Sequence, residues 1–267
     1  MVFKVRRILQ TDFIMKYPIY CFGDSFTAGN ELVDADYVEN YPEPISFWEW
    51  IKKHPNTERP SLSHLSTDQL KELELKEKKN SYAGLIGATN LGGGGNSIQS
   101  VCRQVVQLLE DSSDKCIIII QPPEIGRWTD FVNGQWVDFL PYGINKKLDV
   151  DYEAYHKFKI THNTDHSNLV RWYSVMVPLI SYLENHNNVV KWFLVDTGIF
   201  NLIPDMIKNK GITDKAIINL MDKIKDKIVR FPQVEDQNYP YFLPGGHVNQ
   251  YAHDLVAKKL QSLILNA

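Results

Sequence analysis

Three short stretches of the chain combine residue types that can do chemistry together. The first, "YCFGDSFTAGN", begins at Tyr20 and places Ser25 directly after an apolar run and a Gly-Asp pair. Gly23 permits a tight turn out of a strand, which puts Ser25 at the strand's C-terminal end, where a nucleophile is useful. A serine in that place can equally be a helix cap. The second, "TNLGGGGNSI", carries successive glycines from Gly92 to Gly95. Such a loop presents backbone N–H groups with no side chains in the way, suited to an oxyanion or a phosphate. It lacks the Gly-Lys-Ser/Thr ending of a Walker loop and does not meet the dinucleotide glycine spacing. The third, "LPGGHVNQYAH", sets His247 in a glycine-bounded loop before a helical pattern. From there an imidazole can reach back as a general base. His253, inside that helix, reads as a packing or surface residue. His156, His162 and His166 match no familiar ligand spacing, so no metal site is expected.

These stretches need a scaffold, and the hydrophobic pattern supplies one. "KCIIIIQPP", from Lys115 to Pro123, is an unbroken apolar run of the kind buried on both faces in parallel sheets. "KYPIYCF" before Gly23 and "VVKWFLVD" before Thr197 are similar, and "GATNL" is a shorter candidate. Helical patterns lie between them. "SIQSVCRQVVQLLED" aligns Ile98, Val101, Val105, Leu108 and Leu109 on one face, with Asn96 or Ser97 as its cap. "SNLVRWYSVMVPLISYLENH" is helical with a kink expected at Pro178. "TDKAIINLMDKIKDKIVRF" is capped by Thr213 or Asp214, and "NQYAHDLVAKKLQSLIL" by Asn249. Alternating strands and helices predict a parallel sheet covered on both faces, with working residues at the strand C-termini.

Two insertions interrupt this alternation, at about 33–79 and about 127–167. The charged run "STDQLKELELKEKK" in the first reads as a solvated helix. "RWTDFVNGQWVDFLPY" in the second reads as a hairpin turning at Asn133-Gly134. Its aromatic residues Trp128, Trp136 and Tyr142 suit a sugar face or simple packing. Neither insertion shows the composition break of a separate domain. The expected organisation is an N-terminal tail, 1–14, and a single domain, 15–267.

The 267 residues suffice for a buried core, and a net charge of -3 gives no reason to expect nucleic acid as partner. Cys21, Cys102 and Cys116 have no metal-ligand spacing, and two of them sit in strand-like runs, which favours a reducing compartment. The N-terminus has no continuous apolar core and no cleavage site, so no signal peptide is expected, and no run is long enough for a membrane span. A cytoplasmic or virion-associated location is the expectation.

Together the three stretches resemble the SGNH/GDSL hydrolase family. "FGDSFTAG" is similar to its serine motif, "NLGGGGNS" to its Asn-x-Gly-x-x-Gly motif through Asn90, Gly92 and Gly95, and "HVNQYAHDLVAKKL" to its histidine motif, with Val248 where a proline is usual. The pattern also looks like SGNH-type proteins of large tailed phages. The resemblance implies an α/β fold, a flavodoxin-like three-layer α/β/α sandwich with a mostly parallel sheet of about five strands. It implies Ser25 as nucleophile and His247 as base. It assigns the oxyanion hole to the N–H groups of Ser25 and Gly95, with Asn96 as a further donor. The implied reaction is hydrolysis of a carboxylic ester or O-acetyl group, on a small molecule or a glycan, through an acyl-enzyme and without metal or organic cofactor.

The chain departs from the family twice. The aspartate usual three residues before the histidine is Pro244, leaving Asp236, Glu235, Asp196 or a backbone carbonyl to orient the ring. Loss of that carboxylate can cost about 10⁴ in rate. After the central strand, prolines stand where the family has an oxyanion asparagine, leaving Gln121 or Asn96 as replacements. Three readings follow: an esterase or deacetylase, a catalytically impaired binding or structural protein on the same fold, and an acyl transferase using the same residues. A carboxylate within roughly 2.6–3.2 Å of the His247 ring favours the first.

Overall fold

The computed structural model describes residues 16–53, 59–132, 135–139, 157, 165–200 and 215–265. The expected N-terminal tail, the Asn133-Gly134 turn, Tyr142, His156, His162, the side chain of His166 and the Thr213/Asp214 cap lie outside them.

Along the chain come β1 (Ile19–Phe22), α1 (Ser25–Ala28), α2 (Phe47–Lys53), α3 (Thr67–Asn80), α4 (Tyr82–Leu85), β2 (Thr89–Asn90) and α5 (Ile98–Asp111). Then follow β3 (Cys116–Ile120), β4 (Trp128–Val132), β5 (Gln135–Phe139), α6 (Asp165–Asn185), β6 (Val189–Asp196), α7 (Lys215–Ile224), β7 (Ile228–Arg230) and α8 (Gln250–Leu265). Strands pair in the order β2-β1-β3-β6-β7, every pair parallel. β4 and β5 form a separate antiparallel hairpin.

The isoleucine run explains the layering. In β3, Ile118 and Ile120 enter one core with Ile98, Val101 and Val105 of α5 and Trp172 and Met176 of α6. Ile117 and Ile119 enter the other, with Tyr82 of α4 and Val256 and Leu260 of α8. Side chains of a strand alternate faces, so a continuous apolar strand requires cover on both. That gives the three-layer α/β/α sandwich expected. Cys21 and Cys116 are buried strand residues with their thiols pushed up by burial. The stretch "TDKAIINLMDKIKDKIVRF" is not helical to its end: α7 stops at Ile224, and Ile228–Arg230 pairs with β6 as β7, a strand of three residues too short to carry a periodic signal.

Of the two caps expected for α5, Ser97 is the one used, its hydroxyl accepting the Ser100 N–H. One further local expectation changes. The charged run does form α3, closed by a Ser66/Gln69 capping box, but it is not solvated all round: Leu73 and Glu77 are buried. One turn apart, they share the face that meets the fold.

Strand order changes direction at β1, with β2 on one side and β3 on the other. The crevice at the C-terminal ends of those strands is where such sheets place ligands. The serine turn leaves β1, the glycine loop leaves β2, and the hairpin follows β3.

Candidate active site

Ser25 opens the four-residue α1 and is 6% exposed. Asp24 caps this helix, its Oδ1 accepting the Phe26 N–H at 3.0 Å. Burial pushes the Asp24 carboxyl above its usual range, against the pull of Arg127, whose Nη1 donates to Asp24 Oδ2 at 3.0 Å. Arg127 comes from the loop after β3, so the second insertion braces the serine turn. Gly23 must be glycine here: a Cβ would fall 2.2 Å from Thr27 Oγ1 and 2.7 Å from Gln121 Oε1.

The glycine loop folds against the same turn. Gly93 N–H donates to Gly23 O at 3.1 Å and Gly92 N–H to Asn90 Oδ1 at 3.0 Å. Gly92 is also a close approach, since a Cβ there would lie 2.7 Å from the Ala28 nitrogen. Gly95 takes φ 84, which glycine adopts without strain. Among the described residues, none accepts from the amides of Ser25 and Gly95, the pair assigned to an oxyanion. The Asn96 Nδ2 donates to Gly23 O at 2.9 Å, which uses one of its two amide hydrogens.

Gln121 is not a replacement donor. Its Oε1 accepts from Asp24 N–H at 3.0 Å and from the Thr27 hydroxyl at 3.3 Å, while its Nε2 donates to Pro122 O at 2.8 Å. It is a fully buried brace between β3 and the serine turn.

His247 lies in the loop before α8, its ring 5.5 Å from that of Phe26, the residue after Ser25. Its Nδ1 is 2.7 Å from Glu31 Oε2. This overturns the three carboxylates suggested by proximity to the histidine in sequence. Asp196 accepts from the Gly198 and Phe200 N–H groups and pairs with Arg230, Glu235 pairs with Lys259, and Asp236 accepts from Asn238 N–H. Among the described residues no backbone carbonyl takes the role either. The carboxylate comes from the other side of Ser25, in the loop leaving α1.

Glu31 is held at every oxygen. Oε1 accepts from Tyr41 Oη and Gly245 N–H, both at 2.8 Å, and Oε2 accepts from His247 N–H at 3.3 Å besides the ring. Burial alone would raise its pKa, but the His247 hydrogen bond and charge, with Gly245 and Tyr41, hold it below the usual carboxylate range. It is therefore an anion facing the imidazole. His253 is buried instead against α4, its Nδ1 accepting the Tyr82 N–H at 3.0 Å.

Glu31 carried a signal of its own: a carboxylate a few residues beyond the serine, at the same strand edge. Among the described residues no hydrogen bond joins Ser25 Oγ to the His247 ring, a contact that often tightens only with substrate in place.

No protein-family model matches the chain, and no curated protein does. Solved structures similar to it include a lipolytic G-D-S-L family protein of Veillonella parvula, at 11% identity and TM-score 0.45 over 94% of this chain and all of that one. Another is the esterase EstA of Pseudoalteromonas, at 10% identity and TM-score 0.44 over 93% of this chain and 97% of that one. A third is a carbohydrate esterase family 2 enzyme with a carbohydrate binding domain, from Corynascus thermopiles (Myceliophthora fergusii). It is 13% identical at TM-score 0.45, and the match spans 93% of this chain and 65% of that one. The chain's own five-stranded parallel sheet, covered on both faces, is the architecture that the sequence resemblance implies.

Proposed function

We propose that this protein is a serine hydrolase that cleaves a carboxylic ester or O-acetyl group through an acyl-enzyme on Ser25. The observation that carries the reading is the 2.7 Å contact between His247 Nδ1 and buried Glu31, on a ring packed beside the nucleophile turn. With Nδ1–H donated to the carboxylate, Nε2 is the basic nitrogen. It takes the Ser25 proton as Oγ attacks the acyl carbon. Glu31 fixes the tautomer and stabilises the positive charge the ring then acquires. The amides of Ser25 and Gly95 receive the oxyanion. Collapse of the tetrahedral intermediate breaks the bond to the leaving alkoxide, which receives the proton from Nε2. Water then attacks the acyl-enzyme, giving its proton to Nε2, and Ser25 leaves with that proton as the carboxylic acid is released. The substrate class proposed is a small-molecule or glycan ester.

Fluorophosphonate labelling read by peptide mass spectrometry tests this. Label on Ser25 that is lost in both Ser25→Ala and His247→Ala is the expected result. A folded protein that takes no label overturns the hydrolase and makes a binding protein on the same fold the better account.

A further inference from the structure

The first insertion reaches the catalytic carboxylate by a route independent of the histidine loop. Glu31 has φ 69, the left-handed region that a glutamate rarely enters. Such a residue persists only where its surroundings over-determine it. Here its N–H donates to Glu77 Oε1 at 2.6 Å. Glu77 lies on the buried face of α3, 46 positions away. The same Oε1 accepts Arg59 Nη2 at 2.8 Å. Arg59 in turn grips Asp34 in a fork, Nε to Oδ2 at 2.6 Å and Nη2 to Oδ1 at 2.7 Å. Asp34 is tied back to Glu31 by its own N–H on Glu31 O at 3.2 Å. The result is a closed ring of interactions: Glu31 to Glu77, to Arg59, to Asp34, to Glu31. Bidentate guanidinium contacts supply geometric specificity as well as energy.

This ring does not touch the oxygens that face His247. It sets the backbone from which they project. The insertion braces the other partner too. Ile45 and Phe242 exchange N–H···O bonds of 2.8 Å, and Trp50 Nε1 donates to Pro244 O at 3.4 Å, just before His247.

We propose that Glu77 and Arg59 are positioning residues for the proposed Glu31–His247 pair, locking the left-handed backbone at Glu31 so that its carboxylate meets the imidazole. The inference rests on the hydrolase reading above. It gives the first insertion a function: in a chain with Pro244 at the usual acid position, the insertion carries the frame that holds the substitute acid.

The test is a double-mutant cycle in the full-length chain, read by the fluorophosphonate labelling rate of Ser25 and by hydrolysis of p-nitrophenyl acetate. Glu77→Ala in the wild-type background should lower labelling and kcat by roughly 10²-fold with KM little changed, the cost of about 1 Å of misplacement. In the Glu31→Ala background the same substitution should change either rate less than about 2-fold, because its effect passes through Glu31. Glu77→Gln keeps an Oε1 acceptor and should recover most of the loss, and Arg59→Met should behave like Glu77→Ala. Thermal melts establish that each variant is folded. Should Glu77→Ala not fold, Arg59→Met carries the cycle. Multiplicative losses in the two backgrounds, or folded Glu77→Ala and Arg59→Met variants that are unimpaired, overturn the inference while leaving the hydrolase standing. A wild-type chain that neither labels nor turns over overturns both.

Discussion

Gly245→Ala is the sharpest perturbation the site allows, because it removes no functional group. An ideal Cβ at position 245 falls 2.7 Å from Glu31 Oε2 and 2.8 Å from both Cδ and Oε1. Ordinary contact begins at 3.4 Å, so the carboxylate must retreat by about 0.7 Å. What must yield is a side-chain end rather than backbone, so the methyl group should cost about 1 kcal/mol of stability, the low end for overpacking, even though both oxygens are hydrogen-bonded. Catalysis is less tolerant. The retreat stretches the 2.7 Å bond to His247 Nδ1 and the 2.8 Å bond from Gly245 N–H together. Misplacement on this scale costs roughly 10²-fold in rate, against about 10⁴ for losing the acid outright. The labelling rate of Ser25 and p-nitrophenyl acetate turnover should therefore fall about a hundredfold while the melting temperature barely moves. Gly246→Ala is the contrast. Gly246 has φ 87, and a Cβ there would meet Trp50 Cζ2 at 2.7 Å, so stability suffers in that variant. A Gly245→Ala protein that labels at the wild-type rate would refute the reasoning, since it would mean that the carboxylate contact does not govern the imidazole.

Three further outcomes follow from the same geometry. Glu31→Ala should reduce kcat by about 10³–10⁴ with Ser25 labelling slowed in parallel; a loss below tenfold would remove Glu31 from the reaction. Burial holds His253 down from its ordinary 6.5 to about 3, so below pH 6.5 the unfolded chain binds the extra proton and stability is lost as pH falls toward 3. The loss from this group should reach about 2 kcal/mol at pH 5, read as urea denaturation at pH 5 and pH 7, and His253→Asn should flatten the difference. Arg127→Met leaves the Asp24 carboxylate buried without its cation and should cost about 3 kcal/mol at neutral pH. The Asp24 pKa, already raised by burial, would rise further, so this deficit should narrow on acidification as the carboxyl protonates; a deficit that is constant with pH would show that the charge is not its cause.

The layers of this protein were legible in the chain because they depend on local periodicity. A run such as Cys116–Ile120 can be satisfied only by cover on both faces, and α5 presents its apolar stripe whatever surrounds it. The serine turn, the glycine loop and His247 were legible for a related reason: each is a contiguous stretch whose glycines and caps set its own backbone. Gln121 and Asn96 show where that legibility stops. Both sit in the expected loops, yet hydrogen bonds to the serine turn decide which way their amides face.

Glu31 and Glu77 show the limit most clearly. A search for a carboxylate near His247 in sequence looks at Asp236 and Glu235, whereas the one that meets the ring is 216 positions away. Glu77 belongs to a run whose other charges are exposed or half-buried, and only the side of α3 turned toward the fold makes it a buried acceptor for Glu31 N–H. By itself the sequence determined four of the sheet's five strands, the cover on both faces, and the serine, glycine-loop and histidine turns at the strand ends, since those follow from patterns within a few residues. Only the tertiary structure decided which carboxylate faces the imidazole. At that glutamate Glu77 binds the backbone N–H and Gly245 N–H binds the carboxylate, both from remote parts of the chain. Electrostatic and hydrogen-bond partnership acts through space, and sequence separation does not encode it.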